Sequence, residues 1–164
     1  MVSKLAEFFR YSLQNYDKIE VALSEEIEAA QNYLAIEKVR FKDISDISFN
    51  VDDAALNCVV PTFIIQPLFE NAILHGKHTG PRLFQVCMDI RYDNNILSID
   101  VSNTGTLQDH HQHNPSKNIH GYSLDNIQKR LSLMFEDRFN LDLFEEDGWV
   151  HAKIRITYKD ENKR

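Results

Sequence analysis

Residues 66–76 run Gln66-Pro67-Leu68-Phe69-Glu70-Asn71-Ala72-Ile73-Leu74-His75-Gly76. A carboxylate and an amide stand side by side inside an apolar run that a glycine closes. Burying either group without a partner is costly, so a core segment that carries both is set up for more than packing. The short apolar run 56–60 precedes it, and Pro61 is read as ending that run and opening the helix that holds the segment. Proline inside a helix removes a backbone donor, which predicts a kink or a helix restart at Pro67.

Working outward, Leu5, Phe8, Phe9 and Leu13 fall at helical spacing behind a possible Ser3 cap and predict a helix over 3–16. A second helix is expected after Ser24. Glu25 and Glu26 in its first turn suit the positive end of the dipole, Lys38 and Arg40 lie near its end, and Ile27, Ala30, Leu34 and Phe41 form its stripe. Residues 46–51 alternate as a half-buried strand. Downstream, 83–92 and 96–103 flank the hairpin signal Asp93-Asn94-Asn95. Alternation puts Asn103 on the same face as Leu97, Ile99 and Val101, so a polar group ends a core strand and is a ligand-site candidate. Residues 104–120 form a long polar loop, a kind that is often functional. A helix over about 122–135 follows, with Leu124, Ile127, Leu131 and Met134 as its buried face. Strands over 138–145 and 149–158 surround Asp147-Gly148. Grouped antiparallel strands with helices predict an α+β two-layer sandwich, with helices on one face of a mixed, mostly antiparallel sheet.

The chain has 164 residues and a formal net charge of −7, with 43% hydrophobic residues. That length supports one domain, with or without a short helical extension. The acidic balance argues against nucleic acid and anionic membrane as partners, because phosphate backbones need a basic surface. An anionic ligand would need local compensation from a few bases, helix N-termini or a metal. Cys58 and Cys87 lack metal-ligand spacing and are read as buried, reduced thiols. No stretch approaches 18 apolar residues, and no secretory signal opens the chain.

On residue chemistry alone, Asn71 divides evenly between a helix amide that caps a loop and a ligand group. Glu70 either orders a metal-bound water or pairs with a base such as Lys77. Asn103 is a ligand group or a strand-end cap. The loop 106–120 holds His110, His111, His113 and His120, read as a mobile polar loop with adventitious metal affinity rather than a built zinc site.

Four ordered segments carry a resemblance. Residues 9–13, 23–27 and 33–41 look like the helical stretch that LytS/YehU-type sensor histidine kinases place before their ATPase fold. Gln66 to Gly76 looks like their asparagine box. Ser102-Asn103-Thr104-Gly105 resembles the first glycine box, and Gly121 to Leu131 the second glycine box with its helix. Four matches in order are far more specific than a lone glycine-rich loop. The resemblance implies a GHKL-type ATP-binding domain over 44–160, preceded over 1–43 by the end of a dimerisation and phosphoacceptor region.

The same resemblance implies ATP and Mg²⁺ as cofactors, with Asn71 as magnesium ligand and Glu70 as the catalytic carboxylate. It implies nucleotide contacts from Asn71, Asn103, Gly105, Gly121, Leu124, Asn126 and Arg130, with His75 and Lys77 as the bases nearest the position where many such kinases carry one. Hydrolysing members of the class place a general base four residues before the asparagine. Here that position is Pro67, so transfer of the γ-phosphate fits better than hydrolysis. The first glycine box departs at Asn103 and Leu107, and the second at Ser123.

No phosphoacceptor motif of the Pro-His-Phe type occurs, so the fragment alone is not expected to phosphorylate itself. The implied whole is a homodimeric kinase. It would donate phosphate to its own phosphoacceptor domain and then to a response regulator, with this domain in the cytoplasm and a parent protein in the bacterial inner membrane. A degenerate, non-catalytic module of the same fold is the competing reading. A free-standing serine kinase of the anti-sigma-factor type is disfavoured by the two N-terminal helices and by the wording of 66–76.

Overall fold

The computed structural model describes residues 6, 10, 11, 13–15, 17–40, 42–79, 82–107 and 119–159. Strand β1 (Glu20–Ala22) leads directly into helix α1 (Leu23–Arg40). Strand β2 (Ile44–Val51), a 3₁₀ turn over Asp53–Ala55 and strand β3 (Val59–Pro61) follow, then helix α2 (Ile65–Thr79). The chain continues through β4 (Phe84–Asp93), β5 (Ile96–Thr104), helix α3 (Ile119–Phe135), β6 (Phe139–Glu146) and β7 (Trp149–Thr157).

Five strands form one sheet in the order β2-β4-β5-β7-β6. β2 runs parallel to β4, and every other neighbouring pair is antiparallel. The parallel pair needs a crossover, and α2 lies on that connection. Both hairpins turn where the sequence signals them. Asn94 and Asn95 have φ of 49° and 63°, and Asp147 and Gly148 have φ of 50° and 77°, the left-handed values that two-residue hairpin turns demand.

Period-two alternation sends Val86, Met88 and Ile90 of β4, Leu97, Ile99 and Val101 of β5, and Ala152, Ile154 and Ile156 of β7 into one core. The same core receives Ile27, Ala30 and Leu34 of α1, Leu68, Phe69, Ala72 and Ile73 of α2, and Ile127 and Leu131 of α3. The helices therefore cover one face, as the α+β reading expects. Each large side chain buried this way contributes about 1.5–3 kcal/mol.

α1 shares this core, and β1 pairs antiparallel with β3. The backbone reinforces that join: Leu23 N–H donates to the Cys58 carbonyl at 2.8 Å and Ser24 N–H to that of Leu56 at 3.0 Å.

Several details differ from the sequence expectation. β1 was not foreseen, since a three-residue strand is too short to show a period. Pro61 ends β3 but does not open the helix, which starts at Ile65. Pro67 is thus the third helical residue, where a backbone donor has no intrahelical partner to lose, and no restart is needed. α3 begins at Ile119 rather than near 122. Cys58 and Cys87 are free thiols but only partly buried. Of the helix expected over 3–16, positions 6, 10, 11, 13 and 14 are helical. Its stripe residue Leu13 is 79% exposed, while Leu5, Phe8 and Phe9, like Phe41 of the second stripe, lie outside the described residues. So do His110, His111 and His113.

α2 runs on past Gly76 to Thr79. A Cβ on Gly76 would stand 2.3 Å from Cδ2 of Phe84, a fully enclosed ring of the core. Glycine is needed here for helix–sheet approach. Gly76→Ala should lower unfolding free energy by about 1–3 kcal/mol, read from the midpoint of a urea titration. An unchanged midpoint would show that the ring shifts freely.

Candidate nucleotide site

α2 delivers Asn71 and His75 four residues apart, on one stripe of the helix. Asn71 is 5% exposed and His75 is 4% exposed. Among the described residues, the side-chain oxygen of Asn71 is buried with no hydrogen-bond partner. A native core rarely leaves such an atom unsatisfied, and each case calls for a ligand, an ion or a water. An amide oxygen is a hard donor suited to Mg²⁺, which keeps waters and phosphate oxygens as its other ligands. One enclosed oxygen therefore fits a magnesium held mainly by phosphate.

β5 delivers Asn103, 1% exposed, on the core side of the sheet as its alternation predicts. Its NH₂ donates to the Thr104 carbonyl at 3.1 Å. Gly105 follows at φ 149°, a value that favours glycine. Its N–H donates to the Gly148 carbonyl at 2.9 Å, tying the strand end to the β6–β7 turn. Leu107 N–H donates to the Glu145 carboxylate at 2.8 Å. α2 packs against both β5 and α3. α2, which carries Asn71, thus packs on the strand whose end carries Asn103 and on the helix that opens near Gly121.

Gly121 lies in the first turn of α3, whose leading N–H groups have no intrahelical acceptor. Leu124 is partly buried against the core, and Asn126 is exposed.

Two expected site residues have other partners. Arg130 donates to the Thr62 carbonyl at 2.5 Å, and its guanidinium sits 5.7 Å from the centroid of Phe63. It serves the turn before α2. Glu70 is exposed and accepts from Gln66 at 2.8 Å. Burial first, then the Glu37 and Glu70 carboxylates, push the Tyr33 hydroxyl pKa well above its ordinary value. Lys77 is exposed near the end of α2.

One residue that holds the site together was misread. Glu26 was assigned to the dipole of its own helix, yet it is 2% exposed and accepts from the backbone N–H groups of Phe63, Ile64 and Ile65 at 2.6, 3.0 and 3.1 Å. Tyr11 donates its hydroxyl to the same carboxylate. Burial raises the Glu26 pKa, while the bonds from Tyr11 and the three amides pull it down. Burial and the neighbouring Glu26 charge hold the Tyr11 hydroxyl protonated. The usable signal was an absence: Thr62-Phe63-Ile64 puts no side-chain cap immediately before α2.

Comparison with solved structures decides the fold. The catalytic domain of histidine kinase ThkA superposes with a TM-score of 0.61 at 19% identity, over 84% of this chain and 93% of that one. The fold is that of a histidine-kinase catalytic domain. ThkA in complex with the response regulator protein TrrA also matches, with a TM-score of 0.54 at 17% identity over 99% of this chain and 49% of that one.

A family model described as "Histidine kinase" matches residues 1–45. By sequence the chain is related, at modest identity, to sensor kinases. It is 28% identical to the sensor histidine kinase BtsS of Escherichia coli (strain K12) over 98% of its length. It is 26% identical to the sensor protein LytS of Staphylococcus saprophyticus over 96% of its length. The chain spans 28% of the length of each of these relatives. Among the described residues no helix is long and apolar enough to cross a membrane.

An unpartnered buried oxygen costs the metal-free protein stability. Asn71→Leu should therefore leave unfolding free energy unchanged or raise it by about 1 kcal/mol. A loss of 2 kcal/mol or more, on the order of a lost buried contact, would mean that Asn71 has a structural partner.

Proposed function

We propose that this chain is the ATP-binding portion of a sensor histidine kinase, donating the γ-phosphate to a phosphoacceptor histidine elsewhere in the parent protein. The observation that carries the proposal is the enclosed Asn71 oxygen, which has no partner among the described residues. Asn71 would hold magnesium, which when bound neutralises phosphate charge.

The remaining work falls to the chain. The NH₂ of Asn103 is engaged by the Thr104 carbonyl, so its oxygen is the end that meets an adenine amino donor. Gly105 keeps the backbone open at the strand end. The leading N–H groups of α3, beside Gly121, meet phosphate oxygens, with Leu124 anchoring that helix and Asn126 at its rim. Lys77 supplies positive charge from the C-terminal half of α2, and His75 stands one turn beyond Asn71 on the same stripe. Arg130 supports the turn before α2, and Glu70, exposed and bonded to Gln66, has no part in transfer. With proline at position 67, no carboxylate stands where hydrolysing relatives keep a base, which favours passing phosphate to a side chain over passing it to water. Phosphoryl transfer asks mainly for positioning and charge neutralisation.

Through the relatives, the proposal extends to a response regulator as receiver, a dimeric parent and attachment of that parent to the cell membrane. The competing reading, a non-catalytic module, draws on the commitment of Arg130 to Thr62 and on Leu107 in place of a glycine.

Calorimetric titration separates the two. Mg-ATP should bind the wild-type chain, and Asn71→Ala should weaken binding by at least about tenfold, the scale of one lost ligand–charge interaction. Absence of binding in wild type, or indifference to Asn71→Ala, contradicts the kinase reading.

A further inference from the structure

The turn between β3 and α2 is gripped from three directions. From α1, the Glu26 carboxylate takes the N–H groups of Phe63, Ile64 and Ile65. From the upstream segment, Tyr11 donates to Glu26 and sets its ring edge-on to Phe63, with centroids 5.7 Å apart and planes at 75°. From α3, Arg130 holds the Thr62 carbonyl and sets its guanidinium over the Phe63 ring, 5.7 Å from the centroid. Thr62 itself reaches back, its hydroxyl donating to the Lys18 carbonyl at 2.7 Å. Phe63 has φ of 59°, a conformation a bulky L-residue adopts only when its surroundings impose it.

A helix start is normally capped by a side chain next to it in sequence. Such a cap satisfies the leading N–H groups and leaves the helix free to move with its own turn. Here the cap comes from a residue 38 positions before Ile64, on another helix. Ile64 and Ile65 are fully buried, so water cannot replace the carboxylate if the helices part. The position of α2 is thereby slaved to that of α1 and of the Tyr11 segment. Asn71 lies less than two turns further along α2.

We infer that Glu26 is a positioning residue for the Asn71 site, linking the upstream helices to the metal-bearing helix through Tyr11. This deepens the nucleotide reading and rests on Asn71 being the magnesium ligand. Movement of the upstream helices that separates Tyr11 from Glu26 weakens the cap, and Asn71 loses its fixed place. The site is set by contacts that the upstream helices can make or break.

The test uses the full 164-residue chain and two variants, Glu26→Gln and Tyr11→Phe. ATP affinity is measured with Mg²⁺ and with EDTA, and amide hydrogen exchange is followed over 63–75. Glu26→Gln should reduce the magnesium-dependent gain in affinity by on the order of tenfold, the loss expected for a broken charge-assisted contact, and leave affinity in EDTA unchanged. Exchange should quicken at Asn71 and His75 as well as at 63–65. Tyr11→Phe should act in the same direction by a smaller factor, and it carries the test if Glu26→Gln does not fold.

A lowered unfolding midpoint with an unchanged magnesium-dependent gain and unchanged exchange at Asn71 would make Glu26 merely structural and overturn the inference. If the wild-type chain shows no magnesium-dependent gain, the nucleotide reading fails by itself, and exchange decides the coupling. Faster exchange reaching Asn71 upholds it, whereas a change confined to 63–65 overturns it.

Discussion

One buried carboxylate organises this molecule. Glu26 accepts from three consecutive backbone amides at the start of α2 and from the Tyr11 hydroxyl. A carboxylate taken out of water is tolerable only when its lone pairs are filled. The positive end of α2 and four donors meet that condition. In return, the first N–H groups of α2 gain the acceptor that their own sequence lacks. Neither partner is satisfied without the other, so α1 and α2 are joined by necessity rather than by packing alone. Breaking the pair would leave a charge and several amides stranded in the core, a far larger penalty than the net worth of one hydrogen bond.

The site follows from that join. α2 is pressed onto the sheet at Gly76, where absence of a side chain lets the Phe84 ring approach. Its direction is set at the other end by Glu26. Between these two constraints stands Asn71, whose oxygen is enclosed and lacks a partner among the described residues. The helix is well fixed, yet it carries one polar atom the protein does not satisfy. That combination, rigid scaffold and unmet donor demand, is what a preorganised ligand site requires. It is also why the chain, though acidic overall, remains compatible with an anionic ligand: a metal would bring the missing positive charge.

Much of this was legible in the sequence wherever the signal is local. The two hairpins could be read because Asn94-Asn95 and Asp147-Gly148 are residue pairs that accept left-handed turns. Asn103 could be placed on the core side from strand alternation, and the buried face of α3 from its period. What escaped depends on residues far apart in the chain. Glu26 looks like any first-turn acid until the fold brings residue 63 to it, and Arg130 looks like a nucleotide contact until the fold brings it Thr62. The start of α2 was misplaced for the same reason: its cap is not adjacent, so Pro61 and Pro67 were given roles as opener and kink that the start at Ile65, capped from afar by Glu26, makes unnecessary. Gly76 reads only as the close of an apolar run, because nothing in the sequence announces Phe84 above it.

The most direct test of the account is the side-chain amide resonance of Asn71 by nuclear magnetic resonance. ATP would be added first with EDTA and then with Mg²⁺. If the enclosed oxygen takes a phosphate-bound metal, that resonance moves sharply on addition of Mg²⁺ and little with ATP alone. A resonance that stays in place while the nucleotide binds would contradict the assignment of Asn71, and with it the reading of α2 as the helix that carries the metal.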